Sequence, residues 1–256
     1  MTSLGERGWA VIPFDPRTAI WAEAARGLGA QLSQDPDLQA KWLQCQGTWF
    51  VGVDVLPNDP SGAIGAVPLA GTLRDALGDL PALHPAQLSI VYPGYPRPRK
   101  GESDAAFRYR QRRDAAHVDG LLRDDQGHRH LAEPHAFILG LPLNACSAGA
   151  SPLVVWDQSH EVMRAAFRAA FAAHPQQDWP TLDVAEVYQA ARRRVFETCA
   201  RIEIAAQPGE AILLHRMTLH GMAPWAEGAK APAEGRMIAY FRPILPGGIA
   251  EWLKLP

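Results

Sequence analysis

The sequence predicts a mainly β domain with flanking α-helices, and three observations carry that expectation. Short apolar runs separated by turn signals crowd the C-terminal half, and residues at helical spacing lie at the edges of those runs. No repeat, low-complexity tract or linker divides the 256 residues, so one domain spanning 1–256 is expected. A hydrophobic fraction of 47% with 20% charged residues is that of a folded globular chain long enough to bury a sizeable core.

The elements follow in order. Trp9 to Phe14 reads as a strand stopped by Asp15-Pro16, and Arg17 to Leu32 carries Ala, Leu and Ile at helical spacing. Asp35 to Gln46 predicts a second helix, Thr48 to Val55 a strand rich in β-formers, and Leu69 to Leu77 a short helix after a loop. Gln87 to Tyr92 is a further strand, running into Pro93-Gly-Tyr-Pro-Arg-Pro-Arg99, where prolines forbid regular pairing. His135 to Asn144 and Pro152 to Trp156 are apolar enough for buried strands. Ser159 offers an N-cap for a helix to Ala173, and Asp183 to Thr198 predicts another helix with a basic face. Arg201 to Ile204, Ala211 to Leu214, Leu219 to Trp225 and Met237 to Phe241 complete the strands.

Composition excludes several function classes. A formal charge of -2 provides no basic field for nucleic acid or an anionic membrane, so a small-molecule partner is expected. Cys45, Cys146 and Cys199 are odd in number, far apart and form no CxxC pair, which argues against a disulfide framework or a thiolate zinc site. The N-terminus lacks a signal-peptide pattern and no apolar run is long enough to cross a bilayer. A cytoplasmic location with reduced thiols is the resulting expectation.

The chemistry-bearing feature is His117-Val-Asp119. On an extended segment residues i and i+2 face the same way, so an imidazole and a carboxylate can bind one cation. Iron(II) oxygenases use two His and one carboxylate and leave positions open for cosubstrate and dioxygen. The spacing alone leaves the third ligand open among His128, His130, His135, His160, His174, His215 and His220. His220 is preferred because Pro208-Gly-Glu210, a buried strand and His220-Gly221 place it at a strand end, with His215 as its competitor. A chelating dicarboxylate needs its far end neutralised by an arginine. Arg236 opens the next strand, and Arg242 lies six residues on, hence on the same face if the strand is regular.

These residues, in this order, resemble the phytanoyl-CoA dioxygenase-like group of Fe(II)/2-oxoglutarate oxygenases over nearly the whole chain. Gly8-Trp-Ala-Val-Ile-Pro13 resembles the group's opening strand, and His117-Val-Asp119 its HxD motif. Ser151 to His160 looks like its "GPL-V-PGSH" segment, and Leu219-His-Gly221 its distal-histidine strand, while Arg236 falls where its oxoglutarate-binding arginine is expected. The resemblance implies a double-stranded β-helix, or jelly roll, with Fe(II) on His117, Asp119 and His220 and with 2-oxoglutarate paired to Arg236, or to Arg242 as second choice. It implies hydroxylation of a small molecule with consumption of dioxygen and release of succinate and CO2. Related halogenases have a small residue in place of the motif carboxylate, so Asp119 favours hydroxylation. Two departures, Trp156-Asp-Gln-Ser-His160 in the "PGSH" turn and Met222-Ala-Pro-Trp225 after the distal His-Gly, bear on the substrate pocket.

Plainer readings stand beside these. His117 and Asp119 form a surface pair in one of them, and Arg236 a surface salt bridge with Glu234 or Glu227. His160 supports a turn, while Trp156, Trp225 and Tyr240 belong either to the core or to a pocket. The basic run Arg108 to Arg113 is expected to be a solvated face. Two other functions use the same residues: a zinc hydrolase activating water on the three ligands, and a non-catalytic jelly-roll binding protein.

Overall fold

The computed structural model describes residues 2–78 and 81–254. Its first half contains α1 (Thr2–Arg7), β1 (Trp9–Ile12), α2 (Pro16–Leu32), α3 (Pro36–Trp42), β2 (Leu43–Gln44), β3 (Trp49–Leu56), α4 (Thr72–Leu77), β4 (Ala86–Val91) and α5 (Asp104–Arg112). The second half supplies β5 (Leu121–Arg123), β6 (Arg129–Leu131), β7 (Phe137–Pro142), β8 (Leu153–Trp156), α6 (Ser159–Ala172) and a 3-10 turn at Gln176–Thr181. It closes with α7 (Ala185–Thr198), β9 (Arg201–Ile204), β10 (Ala211–His215), β11 (His220–Met222), β12 (Arg236–Phe241) and α8 (Gly248–Lys254).

Two antiparallel sheets carry the architecture. The larger has the order β1-β10-β7-β12-β4-β3-β2, and the smaller has β11-β8-β9, extended by a single bridge between His117 and His220. From β4 onward the chain passes between the two sheets: β4, the His117 segment, β7, β8 and β9, β10, β11, then β12. That winding is a double-stranded β-helix, the fold the resemblance implied. β5 and β6 form a separate hairpin.

Alternation along each strand sorts residues between the layers. Met237, Ala239 and Phe241 of β12 join Leu88, Ile90 and Leu139 in an outer core against α2, where Trp21 is fully buried and donates its indole N–H to Gly62 O at 2.7 Å. Burial of a side chain of that size contributes roughly 2–3 kcal/mol. Val154 and Trp156 of the smaller sheet pack outward on Met163, Phe167 and Phe171 of α6 and on α7. Between the sheets, Ile138, Ile212 and Leu214 meet Leu153, Val155 and Ile204. A cavity opens beside this inner layer, lined in part by Ile138 and Leu153.

The expected elements are largely present, with instructive differences. α2 begins where Asp15 caps Arg17 N at 2.8 Å and Pro16 supplies a preset φ. The helix expected over Asp35 to Gln46 ends at Trp42, because Leu43 and Gln44 instead pair with Phe50 and Trp49 through a turn at Cys45, Gln46 and Gly47, all at positive φ. Ser159 is not an N-cap: Gln158 takes that position at φ 62°, and the Ser159 hydroxyl accepts from Leu219 N at 2.9 Å, tying α6 to the approach of β11. The strand expected over Leu219 to Trp225 stops at Met222, since Ala223 N and Trp225 N turn to Pro152 O and Tyr95 O. α5, the β5–β6 hairpin and α8 have no counterpart among the sequence expectations. No helix of the described residues is long and apolar enough to cross a membrane.

Candidate metal centre

Local backbone chemistry brings His117, Asp119 and His220 together. His117 and His220 exchange both backbone hydrogen bonds, His117 N to His220 O at 2.8 Å and His220 N to His117 O at 3.0 Å. The segment before them is fixed by Asp114, which is buried; it and Ala115 take left-handed backbone (φ 54° and 53°). Its carboxylate receives a two-pronged pair from Arg201 at 2.7 and 2.8 Å, and its carbonyl accepts from Met222 N at 2.7 Å. Tyr188 of α7 accepts from Val118 N at 3.2 Å. Sequence reasoning missed Asp114, Arg201 and Tyr188 in these supporting roles, because nothing local relates Arg201 to residues 87 positions earlier.

The ligand atoms of His117, Asp119 and His220 lie within 4.8 Å of one another, and no other group of three or more such residues gathers this way among the described residues. His117 Nε2 stands 3.1 Å and His220 Nε2 3.8 Å from Asp119 Oδ1. Each imidazole turns its Nδ1 to a carbonyl, His117 to Ala115 O and His220 to Thr218 O, both at 2.9 Å. A carbonyl only accepts, so Nδ1 carries a proton in both rings; burial alone would lower the His117 imidazole, but the hydrogen bond its Nε2 donates to Asp119 Oδ1 and the Asp119 charge raise it. Burial and the neighbouring His117 push the His220 imidazole down to about 4, leaving it neutral at pH 7. Burial alone would raise the Asp119 carboxyl, but the His117 hydrogen bond and the charges of His220, His117 and Arg242 outweigh it and hold it well below the usual carboxylate range. Two imidazole Nε2 atoms and one carboxylate thus converge, the donor set of a facial iron triad once His117 Nε2 gives up its proton on metal binding. His215 does not reach this centre: it ends β10 beside His160, ring centroids 4.9 Å apart, and its Nδ1 accepts from Met217 N.

The centre borders a cavity of about 290 Å³. The inward residues of β3, namely Trp49, Val51 and Val53, form an apolar wall, Gln87 and Ser89 of β4 add polar atoms, and Tyr240 of β12 and Arg242 just after it close another side. Tyr240, open in the sequence between core and pocket, lines the cavity, whereas Trp156 belongs to the α6–α7 core and Trp225 packs near Tyr95. Gly140 stands opposite Tyr240 in the β7–β12 pairing, and a Cβ there would come within 2.8 Å of the tyrosine ring. The missing side chain gives the ring its place in the barrel.

Arg236 is buried at the start of β12, among residues of the inner layer such as Ile204, Ile212 and Ile238. No carboxylate lies within ion-pair distance of it among the described residues; Glu234 pairs with Arg26 at 3.3 Å instead, which overturns the surface salt-bridge reading. Burial raises the Tyr240 phenol above its usual range, while Arg236 opposes that shift through its charge and a hydrogen bond, so arginine and tyrosine are neighbours. Arg242 has a different setting. Its Nη2 donates to Gln87 Oε1 at 2.6 Å and its Nη1 stands 3.6 Å from Asp119 Oδ2, beside the centre itself.

The roof of the cavity depends on a buried ion pair. Arg110 donates to both oxygens of Glu102 at 2.7 and 2.6 Å and to Arg97 O at 2.7 Å, pinning the proline-rich loop that contains Tyr95. The basic run is therefore a solvated face at Arg108, Arg112 and Arg113 but not at Arg110, whose side chain is only 6% exposed. Hydrogen bonding from Arg110 holds the Glu102 carboxyl at about 2 against a smaller opposing effect of burial. Because the folded-state value is depressed, its stabilisation is complete above the ordinary value of 4.5 and is lost as pH falls toward 2. Glu102→Gln is expected to cost about 3 kcal/mol at pH 7, with the gap from the parent closing between pH 4.5 and 2 in urea titrations. A gap that does not change with pH would contradict this account.

No protein-family model matches the sequence, and no curated protein matches it. Solved structures do. The non-heme alpha ketoglutarate dependent carbocyclase SnoK from nogalamycin biosynthesis aligns over 98% of this chain and 86% of its own, with 12% identity and a TM-score of 0.50. EctD from S. alaskensis with bound Fe aligns over 94% and 74%, at 16% identity and a TM-score of 0.46. HygX from Streptomyces hygroscopicus with nickel and 2-oxoglutarate bound aligns over 93% and 83%, at 13% identity and a TM-score of 0.44. At these identities the likeness to SnoK establishes the shared fold.

Proposed function

We propose that this chain is an Fe(II)- and 2-oxoglutarate-dependent oxygenase of the phytanoyl-CoA dioxygenase-like type, acting on a small molecule. The observation that carries the reading is the convergence of two imidazoles and a carboxylate, both Nδ1 atoms tied to carbonyls, at the mouth of a jelly roll whose inner layer holds a buried arginine with no carboxylate in ion-pair reach among the described residues. His117, Asp119 and His220 would hold the metal, and the donor set fits it. When bound, iron and 2-oxoglutarate supply the oxidising chemistry with dioxygen, and hydroxylation is the outcome we assign.

The protein's own residues do the rest. Arg236 would neutralise the far carboxylate of 2-oxoglutarate. Arg236 and Arg242 stand six residues apart, roughly 20 Å between backbones along an extended strand, and we assign them to different groups. The far carboxylate is two methylenes removed from the chelating end. Arg242, beside Asp119, is too near the centre for that task, whereas Arg236 lies deeper, linked to the cavity by Tyr240. The apolar wall excludes water and positions the substrate. A zinc hydrolase built on the same ligands would leave Arg236 without a role, which ranks that reading second.

Anaerobic titration with iron(II) and 2-oxoglutarate tests the proposal through the visible charge-transfer band of the chelate. Parent protein is expected to develop the band. Arg236→Gln is expected to need at least 100-fold more 2-oxoglutarate while binding iron(II) as before, since a buried charge-assisted pair is worth about 3 kcal/mol or more. Absence of the band in the parent, together with tight zinc binding, would reverse the ranking.

A further inference from the structure

The cavity has a charge imbalance that the proposed cosubstrate does not remove. Among its lining residues Asp119 is the one acid and Arg242 the one cation. With a divalent metal, Asp119, Arg242 and the deeper Arg236, the centre carries three net positive charges. A dicarboxylate cosubstrate cancels two. The remaining charge belongs to Arg242, because Arg236 faces the cosubstrate and Asp119 is committed to the metal. In a cavity walled by Trp49, Val51 and Val53, a guanidinium whose one neighbouring carboxylate, Asp119 at 3.6 Å, is shared with the metal is poorly compensated, and a ligand that brings one negative charge is favoured.

Arg242 has the donors for such a ligand. A guanidinium offers five N–H groups. One goes to Gln87, Nη1 is beyond hydrogen-bond distance of Asp119 at 3.6 Å, and Nε is buried with no partner among the described residues. The backbone around it is fixed: Arg242 N donates to His84 Nε2 at 3.0 Å, and its carbonyl accepts from His135 Nδ1 at 3.0 Å. The head group is therefore placed at the centre by the fold, ready for a planar anion.

We propose that Arg242 anchors a single carboxylate on the primary substrate, whose apolar remainder packs against Trp49, Val51 and Val53. This rests on the oxygenase reading and specifies its substrate class: a small, largely apolar monocarboxylic acid. At about 290 Å³, shared with the cosubstrate, the cavity is at the lower end for small-molecule sites.

The test uses full-length protein loaded anaerobically with iron(II) and 2-oxoglutarate, and matched probes: hexanoate against hexanamide, and 3-phenylpropionate against 3-phenylpropionamide. Calorimetry gives the Kd of each. At least one acid is expected to bind tenfold or more tightly than its amide in the parent. Arg242→Gln is expected to bring that ratio below threefold while the charge-transfer band with iron(II) and 2-oxoglutarate still forms, and Arg242→Lys, which keeps the charge, to retain part of the preference. Equal binding of acid and amide in the parent, or an undiminished preference in Arg242→Gln, overturns the proposal. If Arg242→Gln loses 2-oxoglutarate and Arg236→Gln does not, Arg242 is the cosubstrate arginine, and the proposal falls while the oxygenase reading stands. A parent that binds no 2-oxoglutarate removes the oxygenase reading first, and the substrate assignment with it.

Discussion

His220→Ala is expected to abolish metal binding and turnover while leaving the fold intact. His220 is 6% exposed and donates its Nδ1–H to Thr218 O, so its Nε2 serves the shared space and nothing else. Its backbone pairs with His117 and Val155, and alanine preserves those bonds. The folding cost is therefore the loss of one imidazole's packing, on the order of 1 kcal/mol. The loss in iron(II) affinity should exceed the roughly 10–100-fold that removal of a mere outer-shell partner costs. Equilibrium dialysis against iron(II), read with the thermal midpoint of the same sample, separates the two effects. Parent-like iron affinity would remove His220 from the centre, and His215, which sits beside His160 on the far side of β10, could not replace it without refolding that strand.

Gly221→Ala should be the most damaging of the conservative changes, although position 221 offers no metal-binding side chain. The β11 backbone passes so close to the Asp114 segment that a Cβ at position 221 would overlap Asp114 O, and would lie 3.0 Å from the Asp114 carbonyl carbon and 3.2 Å from Ala116 Cα. These are backbone atoms and cannot swing aside as a side-chain tip can. Relief requires the 114–119 segment to lift from β11, which breaks the His117–His220 exchange and the Met222 N to Asp114 O bond. About 3 kcal/mol or more of stability is expected to be lost, with iron(II) binding weakened together with it. A variant with parent stability and parent iron affinity would show that the segment is not held as described. The His-Gly pair preferred in the sequence thus has a physical basis: the histidine points into the centre, and the glycine admits the other ligand-bearing segment.

Local signals in the sequence were sufficient for much of this protein. Alternation and turn residues placed β1, β3, β4, β7–β10 and β12 to within a few residues, since such strands are buried on at least one face and their side-chain pattern records it. The HxD spacing, the His-Gly at a strand end and the two arginines six residues apart were legible because each is a local relation on an extended chain. The sequence did not disclose α5, the β5–β6 hairpin or α8. Polar, short or terminal elements leave weak periodicity, and packing rather than propensity decides them.

What the sequence by itself determined is a mainly β domain and three ligand-type residues. Only the tertiary structure decided that they meet, that His215 does not join them, that Arg236 is buried with no carboxylate in ion-pair reach among the described residues while Arg242 stands at the centre, and that Asp114, Arg201 and Gly221 hold the arrangement. The physical reason is distance along the chain. A strand pattern fixes which way a side chain faces, but only the winding of one sheet over the other fixes what it faces.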